Sequence, residues 1–529
     1  MVHHRIRRPG EGHPLSTAEV AARSAPPTNE HPNQHPLSIR RNTAYNLLGA
    51  LVPLAVSLVT VPIYLGLIGE ARYGVLAIAW LLLGYFGLFD LGLGRATAQR
   101  IAALHDASAA ERAETFWTAL AINLGLGVVG GLTLWPIAGY FFGHVFNIDE
   151  MLRPELLAAV PWLTLAVPMA TVSGVLIGAL QGRERFLELN LISVSGTVGF
   201  QLLPLAVAAA GHIDLGVLVP AAMLARLLTL LLLAWRCRTD VTHGQPVRLA
   251  PAQAVNLLRF GGWVTLTALV GPMMVILDRF IIGATAGARA VTYYTVPFNL
   301  AERSTVIPRA ITSAMFPRLA AVRDQEAIHL AHEGLRTIAV LVTPLTVFGV
   351  LLIEPFIAWW ISPSIAERSS PVGQILLVGF WLQGFAGVSF AQMQAQGRPD
   401  IVAKCYLAEL LPYFALLYLG LHLAGVTGAA LAFSIRAAVD YVLLAGFAGT
   451  LRASLVILAP PSGLLTLAVL IATISTPGSQ AWGLSLAIHF GLTMFWAYLS
   501  APSALRNSAA FALAKRTKPN VPSTLSKRA

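Results

Sequence analysis

The sequence predicts an all-α protein that crosses a membrane about fourteen times, and three observations support this fold class. Only 12% of the 529 residues are charged and 56% are hydrophobic, with a mean hydropathy of +0.68. Soluble globular proteins carry about 25% charged residues, so this balance indicates a polytopic membrane protein. Apolar runs of about 20 residues, the length a helix needs to cross a bilayer, recur along the chain. Basic residues cluster between alternate runs.

The chain begins with residues 1–41, which are rich in proline, histidine and arginine and have no apolar core. They lack the hydrophobic stretch of a signal peptide, so we expect a disordered cytoplasmic tail. The histidines are irregularly spaced among prolines, which does not predict a metal site.

Fourteen apolar segments follow, each long enough to form a membrane-spanning helix. Two prolines, Pro460 and Pro461, fall inside the thirteenth. The predicted spans are 43–69, 74–103, 115–142, 157–180, 189–210, 215–236, 256–285, 290–319, 334–360, 372–396, 401–423, 425–449, 453–475 and 482–504.

The connections between these spans alternate in charge. One set is basic, and both tails share its character, whereas the other set is short, neutral or acidic. Lysine and arginine near the ends of spans stay on the cytoplasmic side. Both termini are therefore expected in the cytoplasm, which requires an even number of spans. The basic set contains Arg100, Arg112, Arg183, Arg185, Arg236, Arg238, Arg248, Arg318, Arg323, Arg398, Lys404 and Arg452.

Two short motifs recur after six spans and predict an internal repeat. Residues 72–75 follow the first span as residues 290–294 follow the seventh, and a Gln-Gly-Arg motif follows both the fourth and the tenth. Six spans return the chain to its starting side, so both halves run in the same direction. The predicted domains are a bundle over 42–238, a cytoplasmic linker over 239–255, a bundle over 256–450, two accessory helices over 451–505 and a basic tail over 506–529.

Several segments resemble oligosaccharide flippases of the multidrug/oligosaccharidyl-lipid/polysaccharide exporter superfamily. They are LDRFIIGATAGARAVTYYTVPFNLAERSTVIPRAITSAMFPRLA, FDLGLGRATAQRIA and the pair QGRERFLELN and QGRPDIVAKC. The resemblance covers about residues 38–450 and rests on the order, spacing and duplication of these segments. It implies two six-helix bundles that form a V around a central cavity, which opens alternately to each side of a bacterial inner membrane.

The resemblance also implies a substrate and partners. The substrate would be an oligosaccharide linked to undecaprenyl diphosphate, or a related glycolipid, used for cell-surface polysaccharide. The other partners would be membrane lipids, with a glycan polymerase and other polysaccharide assembly proteins acting on the same material.

Charged residues inside the predicted spans are candidate site residues, because a charge at the centre of a bilayer costs about 2.5–3.5 kcal/mol. The seventh span carries Asp278 and Arg279, and the eighth carries Glu302 and Arg303. Neighbouring residues on a helix point about 100° apart. We therefore expect one residue of each pair to pack against protein and the other to face water.

Arginine is well suited to bidentate binding of phosphate oxygens, and a lipid diphosphate would need two or three such cations. Arg309 follows Arg303 by six residues, which places it about 120° away around a regular helix. Pro308 lies between them and can kink the helix. The candidate substrate-binding residues are Arg279, Arg303, Arg309, Arg95, Arg226, Asn299 and Asn46.

Carboxyl groups inside the spans are candidates for ion coupling, because an unpaired carboxyl in a cavity can take up a proton. These candidates are Asp90, Asp278 and Glu302, although a buried ion pair that fixes helix packing is the competing interpretation for Asp90. Arg436 and Asp440 share a helix face at i,i+4 spacing and are predicted to pair with each other.

No catalytic motif is visible. There is no phosphate-binding loop for ATP, no paired carboxylates in a soluble loop, and no cofactor motif. The basic clusters do not form an aromatic-interleaved surface for nucleic acid. Two alternatives remain open. A multidrug–cation antiporter would need an acidic or apolar cavity, and a glycan polymerase or ligase would need a long outward loop with Arg and His.

Overall fold

The structure is a computed structural model that describes residues 36–85, 93–104, 107–183, 185–250, 274, 277–322 and 324–502. The backbone alone is described for residues 36–51, 82–85, Arg95 and Asp324. Within these ranges every regular element is a helix, which confirms the predicted all-α class. Residues 1–35 of the predicted N-terminal tail, the predicted C-terminal tail over 506–529 and residues 251–255 of the predicted linker lie outside the described residues.

The helices of the N-terminal half are α1 (Pro36–Tyr85), α2 (Leu93–Ala103), α3 (Ala109–Tyr140), α4 (Arg153–Gly182), α5 (Phe186–Ala209) and α6 (Leu215–Asp240). The C-terminal half follows. Its helices are α7 (277–286), α8 (Ala288–Glu302), α9 (Val306–Ala321), α10 (Asp324–Trp360), α11 (Pro363–Ala395), α12 (Pro399–Phe447), α13 (Leu451–Ile474) and α14 (Gln480–Ser500).

Ten helices in the described part of the chain are long and apolar enough to cross a membrane. This confirms a polytopic membrane fold, while the number fourteen stays a prediction. Parts of the second and seventh predicted spans, residues 86–92 and 256–273, lie outside the described ranges.

Two of the helices each contain a sharp kink that separates two predicted spans. In α1 the kink is at Gly69, with φ 78° and ψ 170°. In α12 it is at Ala424 and Gly425, and Gly425 has φ 58°. Glycine adopts positive φ without the steric cost that a Cβ would bring. The predicted span boundaries therefore coincide with kinks inside long helices.

The eighth predicted span is also interrupted. A 3₁₀ turn, Arg303–Thr305, separates α8 from α9. Pro308 explains its position, because proline has no N–H to donate to the carbonyl of Ser304 and its ring crowds that carbonyl. The irregularity therefore falls one turn before the proline rather than at it.

Each half packs mainly within itself. In the N-terminal half α4 packs against α2, α3 and α6, and α1 packs against α5. In the C-terminal half α11 packs against α8, α9, α10 and α12. The last two helices, α13 and α14, pack on α10, and their position outside the repeat stays a prediction.

The two halves meet at one end of the molecule, where α1 packs against α8. The carbonyl oxygen of Glu70 accepts a hydrogen bond of 2.7 Å from Thr292 Oγ1. The Glu70 carboxylate accepts a hydrogen bond from the Tyr293 hydroxyl. Arg368 of α11 in turn donates to that hydroxyl through Nη1 at 3.0 Å. These residues tie the kink of α1 to two helices of the other half.

The backbones are also in close contact here. A Cβ added to Gly74 of α1 would lie 2.0 Å from the carbonyl oxygen of Ala288. Nearby, the Asn147 N–H donates to the carbonyl oxygen of Gly283 at 3.2 Å. We call this end, defined by residues 69–74, 147–149, 283–293 and Arg368, the closed end.

Candidate functional site

The segment α8–α9 has two different faces. Ser304, Thr305 and Pro308 are buried, and a Cβ on Gly384 of α11 would lie 2.9 Å from Pro308 Cγ. The opposite face carries polar side chains. This segment is the eighth predicted span and a guanidinium is costly in hydrocarbon, so we expect that face to border water or another polar group. We call it the cationic face, and its members are Asn299, Glu302, Arg303 and Arg309.

The two arginines of the cationic face are both exposed. Arg309 Nη2 lies 3.8 Å from Glu302 Oε1, and these side chains are 71% and 39% exposed. This distance is too long for a hydrogen bond, and exposed ion pairs contribute only about 0.2–1 kcal/mol. Arg303 makes no ion pair within the described ranges. Two guanidiniums and one carboxylate leave this face with one net positive charge.

Asn299 lies one helical turn before Arg303 and is exposed on the same side. Its amide can donate and accept hydrogen bonds. The structure therefore brings three of the predicted substrate-binding residues, Asn299, Arg303 and Arg309, to one exposed face beside Glu302. Their role in substrate binding, and that of Glu302 in ion coupling, stay predictions.

Asp278 and Arg279 are arranged differently from the expectation. Both are buried, at 0% and 1% exposure, and Arg279 Nη1 donates to Asp278 Oδ1 at 2.9 Å. The Tyr294 hydroxyl donates to Asp278 Oδ2 at 3.2 Å. The Arg279 guanidinium lies 4.0 Å from the centre of the Phe298 ring. The prediction that one of the two would face water is wrong for this pair.

The reason is that a long arginine side chain can fold back to its neighbour although the two Cα–Cβ bonds diverge. A buried pair of this kind needs good geometry and further hydrogen bonds to offset the desolvation of both charges. Tyr294 and Phe298 supply these contacts. The proposed roles of Arg279 in substrate binding and Asp278 in ion coupling stay predictions.

The remaining predicted residues lie elsewhere. Arg226 is half-buried on α6, and it has no hydrogen bond or ion pair among the described residues. Asp90 lies outside the described residues. Arg95 and Asn46 lie on α2 and α1, but their side chains are outside the described part of the structure.

The closed-end residues were not singled out from the sequence as functional. The sequence marks Tyr293 only as part of the repeated motif and gives no functional signal at Glu70 or Arg368. Their partners are 223 and 75 residues away along the chain. Nothing in a single sequence marks such distant pairs.

Comparison with known proteins places the chain in a family. Residues 66–364 match the family model described as "Polysaccharide biosynthesis protein", which is more than half of the 529 residues. The chain belongs to this family. A protein of Shigella flexneri named "Putative O-antigen transporter" is 28% identical over 412 residues, which is 77% of this chain and 97% of that relative.

Solved structures show what fold this member of the polysaccharide biosynthesis family has. The lipid II flippase MurJ in an inward closed conformation matches with a TM-score of 0.64 at 12% identity, covering 86% of this chain and 97% of MurJ. An inward-facing multidrug resistance MATE family transporter of the MOP superfamily matches with a TM-score of 0.61 at 17% identity, covering 78% of this chain and 99% of that one. The chain is therefore a multi-pass membrane protein whose fold is similar to that of these two transporters.

Proposed function

We propose that this protein is a flippase. It moves an oligosaccharide linked to undecaprenyl diphosphate, or a related glycolipid, from the cytoplasmic to the outer leaflet of the bacterial inner membrane for cell-surface polysaccharide. The observation that carries the proposal is Arg303, an exposed cation inside the eighth predicted span with no anionic partner among the described residues. Membership of the polysaccharide biosynthesis family supports a glycan substrate.

The substrate has two chemically different parts. A diphosphate needs cations when it leaves water, and the fork of an arginine matches phosphate oxygens. Arg303 and Arg309 would hold the phosphates, and Asn299 would bind polar groups beside them. The polyprenyl chain would stay in the lipid between helices, because an apolar chain has no free-energy cost there.

The orientation follows from the basic connections, which should lie in the cytoplasm. With both termini there, the closed end would face outward and the described conformation would be open to the cytoplasm. Export would then need the Glu70–Tyr293–Arg368 contacts to break as the halves rock. Membrane potential or an ion gradient would drive the cycle, with Asp90, Asp278 and Glu302 as candidates for coupling.

The alternatives fit less well. A multidrug–cation antiporter should present acidic or apolar groups to its substrate, whereas the cationic face has one net positive charge. A glycan polymerase or ligase should have a long outward loop, and the connections predicted to face outward are short. A polymerase is instead expected to act after this protein, on the exported glycolipid.

Substituting Arg303 tests the proposal. We expect Arg303→Ala to slow flipping of the lipid-linked oligosaccharide at least about tenfold, because a charge-assisted hydrogen bond contributes about 1.5–3 kcal/mol and 1.4 kcal/mol is a factor of ten. Arg303→Lys should retain part of the rate, since it keeps the charge but loses the fork. The measurement is the transfer of the labelled glycolipid between leaflets of proteoliposomes.

Arg398→Ala is the matched control. It removes the same charge from an exposed position just before α12, away from the cationic face, and should flip at the wild-type rate. Wild-type flipping by Arg303→Ala and by the double variant Arg303→Ala/Arg309→Ala would refute this assignment of the site.

A further inference from the structure

A small pocket lies inside the C-terminal half, between α9, α11 and the two arms of α12. Its volume is about 180 Å³, below the roughly 300–1,000 Å³ of pockets that enclose a whole small-molecule ligand. It can therefore take part of a ligand rather than all of it. We call it the side pocket. The polar and aromatic residues on its wall are Arg309, Thr312, Gln383, Phe390, Tyr406 and Asp440.

Asp440 is the most unusual group on this wall. Its side chain is 3% exposed, and its Oδ1 has no hydrogen-bond partner in the described part of the chain. A buried carboxylate oxygen without a donor has given up its hydrogen bonds to water and received none in return. Asp440 lines the side pocket, so a ligand that brings a donor there could supply the hydrogen bond that this carboxylate lacks.

The nearest arginine on the same helix is held by other groups. Arg436 Nη1 lies 3.7 Å from Glu409 Oε2, and its guanidinium lies 5.5 Å from the ring centres of both Tyr413 and Phe433. The structure thus pairs Arg436 with Glu409 across the two arms of α12, rather than with Asp440 as its spacing predicted. Glu409 and Asp440 therefore share one guanidinium, and of the two only Glu409 lies within ion-pair distance of it.

The rest of the wall offers mixed hydrogen-bonding chemistry. Arg309 only donates, Asp440 as a carboxylate only accepts, and Gln383 and Tyr406 can do both. The rings of Phe390 and Tyr406 lie within 18° of parallel and provide apolar surface. A site for a bare cation would not place a guanidinium on its wall. A sugar unit, with hydroxyls that donate and accept and with an apolar C–H face, matches all of these groups.

The side pocket also adjoins the cationic face. Arg309 belongs to both, since it lines the pocket and reaches Glu302 at 3.8 Å. A ligand with phosphates at Arg303 could therefore place its first sugar in the pocket without leaving this half of the protein.

We propose that the side pocket binds one sugar unit of the transported glycolipid, with Asp440 accepting hydrogen bonds from its hydroxyls. This inference rests on the proposed function, because it takes that sugar to be part of the lipid-linked oligosaccharide. It assigns glycan recognition to Asp440, Gln383 and Tyr406, and phosphate recognition to Arg303.

The test uses the full-length protein in nanodiscs and a panel of free monosaccharides, namely glucose, galactose, mannose, N-acetylglucosamine and N-acetylgalactosamine. Ligand-observed NMR titration measures each dissociation constant. We expect saturable binding of at least one sugar by the wild type and binding about tenfold weaker in Asp440→Asn. Asp400→Asn is the matched control, because Asp400 is exposed at the start of α12 and pairs with Lys404 at 3.0 Å. It should bind like the wild type.

Two results would overturn the proposal. One is the absence of saturable binding to every sugar by the wild type. The other is equal sugar binding by the wild type, Asp440→Asn and Gln383→Leu. If, in that case, Asp440→Asn abolishes a sodium- or pH-dependent shift of the thermal midpoint, the pocket is a cation site instead. If Asp440→Asn does not fold, Gln383→Leu carries the test, with the same tenfold loss expected.

Failure of this proposal can be told apart from failure of the proposed function. If the wild type flips the glycolipid and Arg303→Ala does not, while the side-pocket variants bind sugars normally, only the side pocket is misassigned. If Arg303→Ala and Arg309→Ala flip normally, the proposed function itself loses its support.

Discussion

Replacing Arg279 with alanine should destabilise the protein by about 3–5 kcal/mol, the usual cost of removing one partner from a buried ion pair. The Asp278 carboxylate would stay buried and would lose the donor that now lies 2.9 Å from its Oδ1. The cavity left beside Phe298 adds to the loss. The measurement is the thermal midpoint of the protein purified in detergent, obtained by size-exclusion chromatography after heating. We also expect low expression of this variant.

The double variant Asp278→Asn/Arg279→Met should recover most of this loss, because it removes both charges and keeps similar volumes. The Tyr294 hydroxyl would still have a polar partner in the asparagine. As a control, Arg289→Ala breaks an exposed pair with Asp149, at 3.8 Å, and should cost no more than about 1 kcal/mol. A thermal midpoint of Arg279→Ala equal to that of wild type would contradict the prediction.

The double variant also separates two roles of this pair. If it folds and flips the glycolipid at the wild-type rate, Arg279 and Asp278 serve the packing of α7 against α8 and bind neither substrate nor ion. If it folds but does not flip, the predicted roles in binding and coupling gain support.

Placing a side chain on Gly74 should prevent the closed end from closing. In Gly74→Val the added Cβ would lie 2.0 Å from the carbonyl oxygen of Ala288 and 2.9 Å from Thr292 Oγ1, so α1 and α8 must separate. Overpacking of this kind costs about 1–3 kcal/mol, which corresponds to a roughly 5- to 150-fold loss of the closed state. We expect flipping to fall by a similar factor.

The opening can be measured directly with a cysteine at position 299 on the cationic face. The native Cys237 and Cys405 are buried free thiols and would be replaced by alanine. In right-side-out vesicles, a membrane-impermeant maleimide should label Asn299→Cys faster when Gly74→Val is also present. Inverted vesicles report the opposite side and give the reference rate.

Gly66→Val is the control for this wedge. Gly66 lies two turns earlier in the same helix and has no atom within 4 Å of an added Cβ, so the change in helix propensity is the same and the close contact is missing. Equal labelling and equal flipping of the Gly74 and Gly66 variants would show that the closed end tolerates the wedge and is not a gate.

The helices could be predicted from the sequence because apolar length alone decides where a chain can cross a bilayer. Gly69 and Gly425 also lie where one predicted span gives way to the next. What the sequence could not show is how side chains fold back locally, as Arg279 does toward Asp278, or which distant residues meet. Glu70 and Tyr293 are in contact only because α1 and α8 pack together. The sequence alone does not indicate that these two distant residues meet.

The candidate site was predictable to the same extent. A charge in a span marks a residue that needs a polar surrounding, and this criterion found Arg303 and Arg309. It could not separate a charge that is satisfied within the protein, such as Arg279, from one that is exposed. For Asp440 the sequence predicted a partner that the structure does not give it, because its i,i+4 spacing to Arg436 indicated an ion pair. Arg436 pairs instead with Glu409, which lies 27 residues earlier in the chain.

The 3₁₀ turn at Arg303–Thr305 changes the angular register of everything after it. A 3₁₀ turn advances 120° per residue and an α-helix about 100°, so three such steps bring Arg309 to within roughly 60° of Arg303 instead of 120°. The separation of these two cations is therefore set by local winding rather than by the axis of the helix. Rewinding those three residues as α-helix would swing Arg309 and its neighbours on α9 by about 60° relative to Arg303, without any movement of α8.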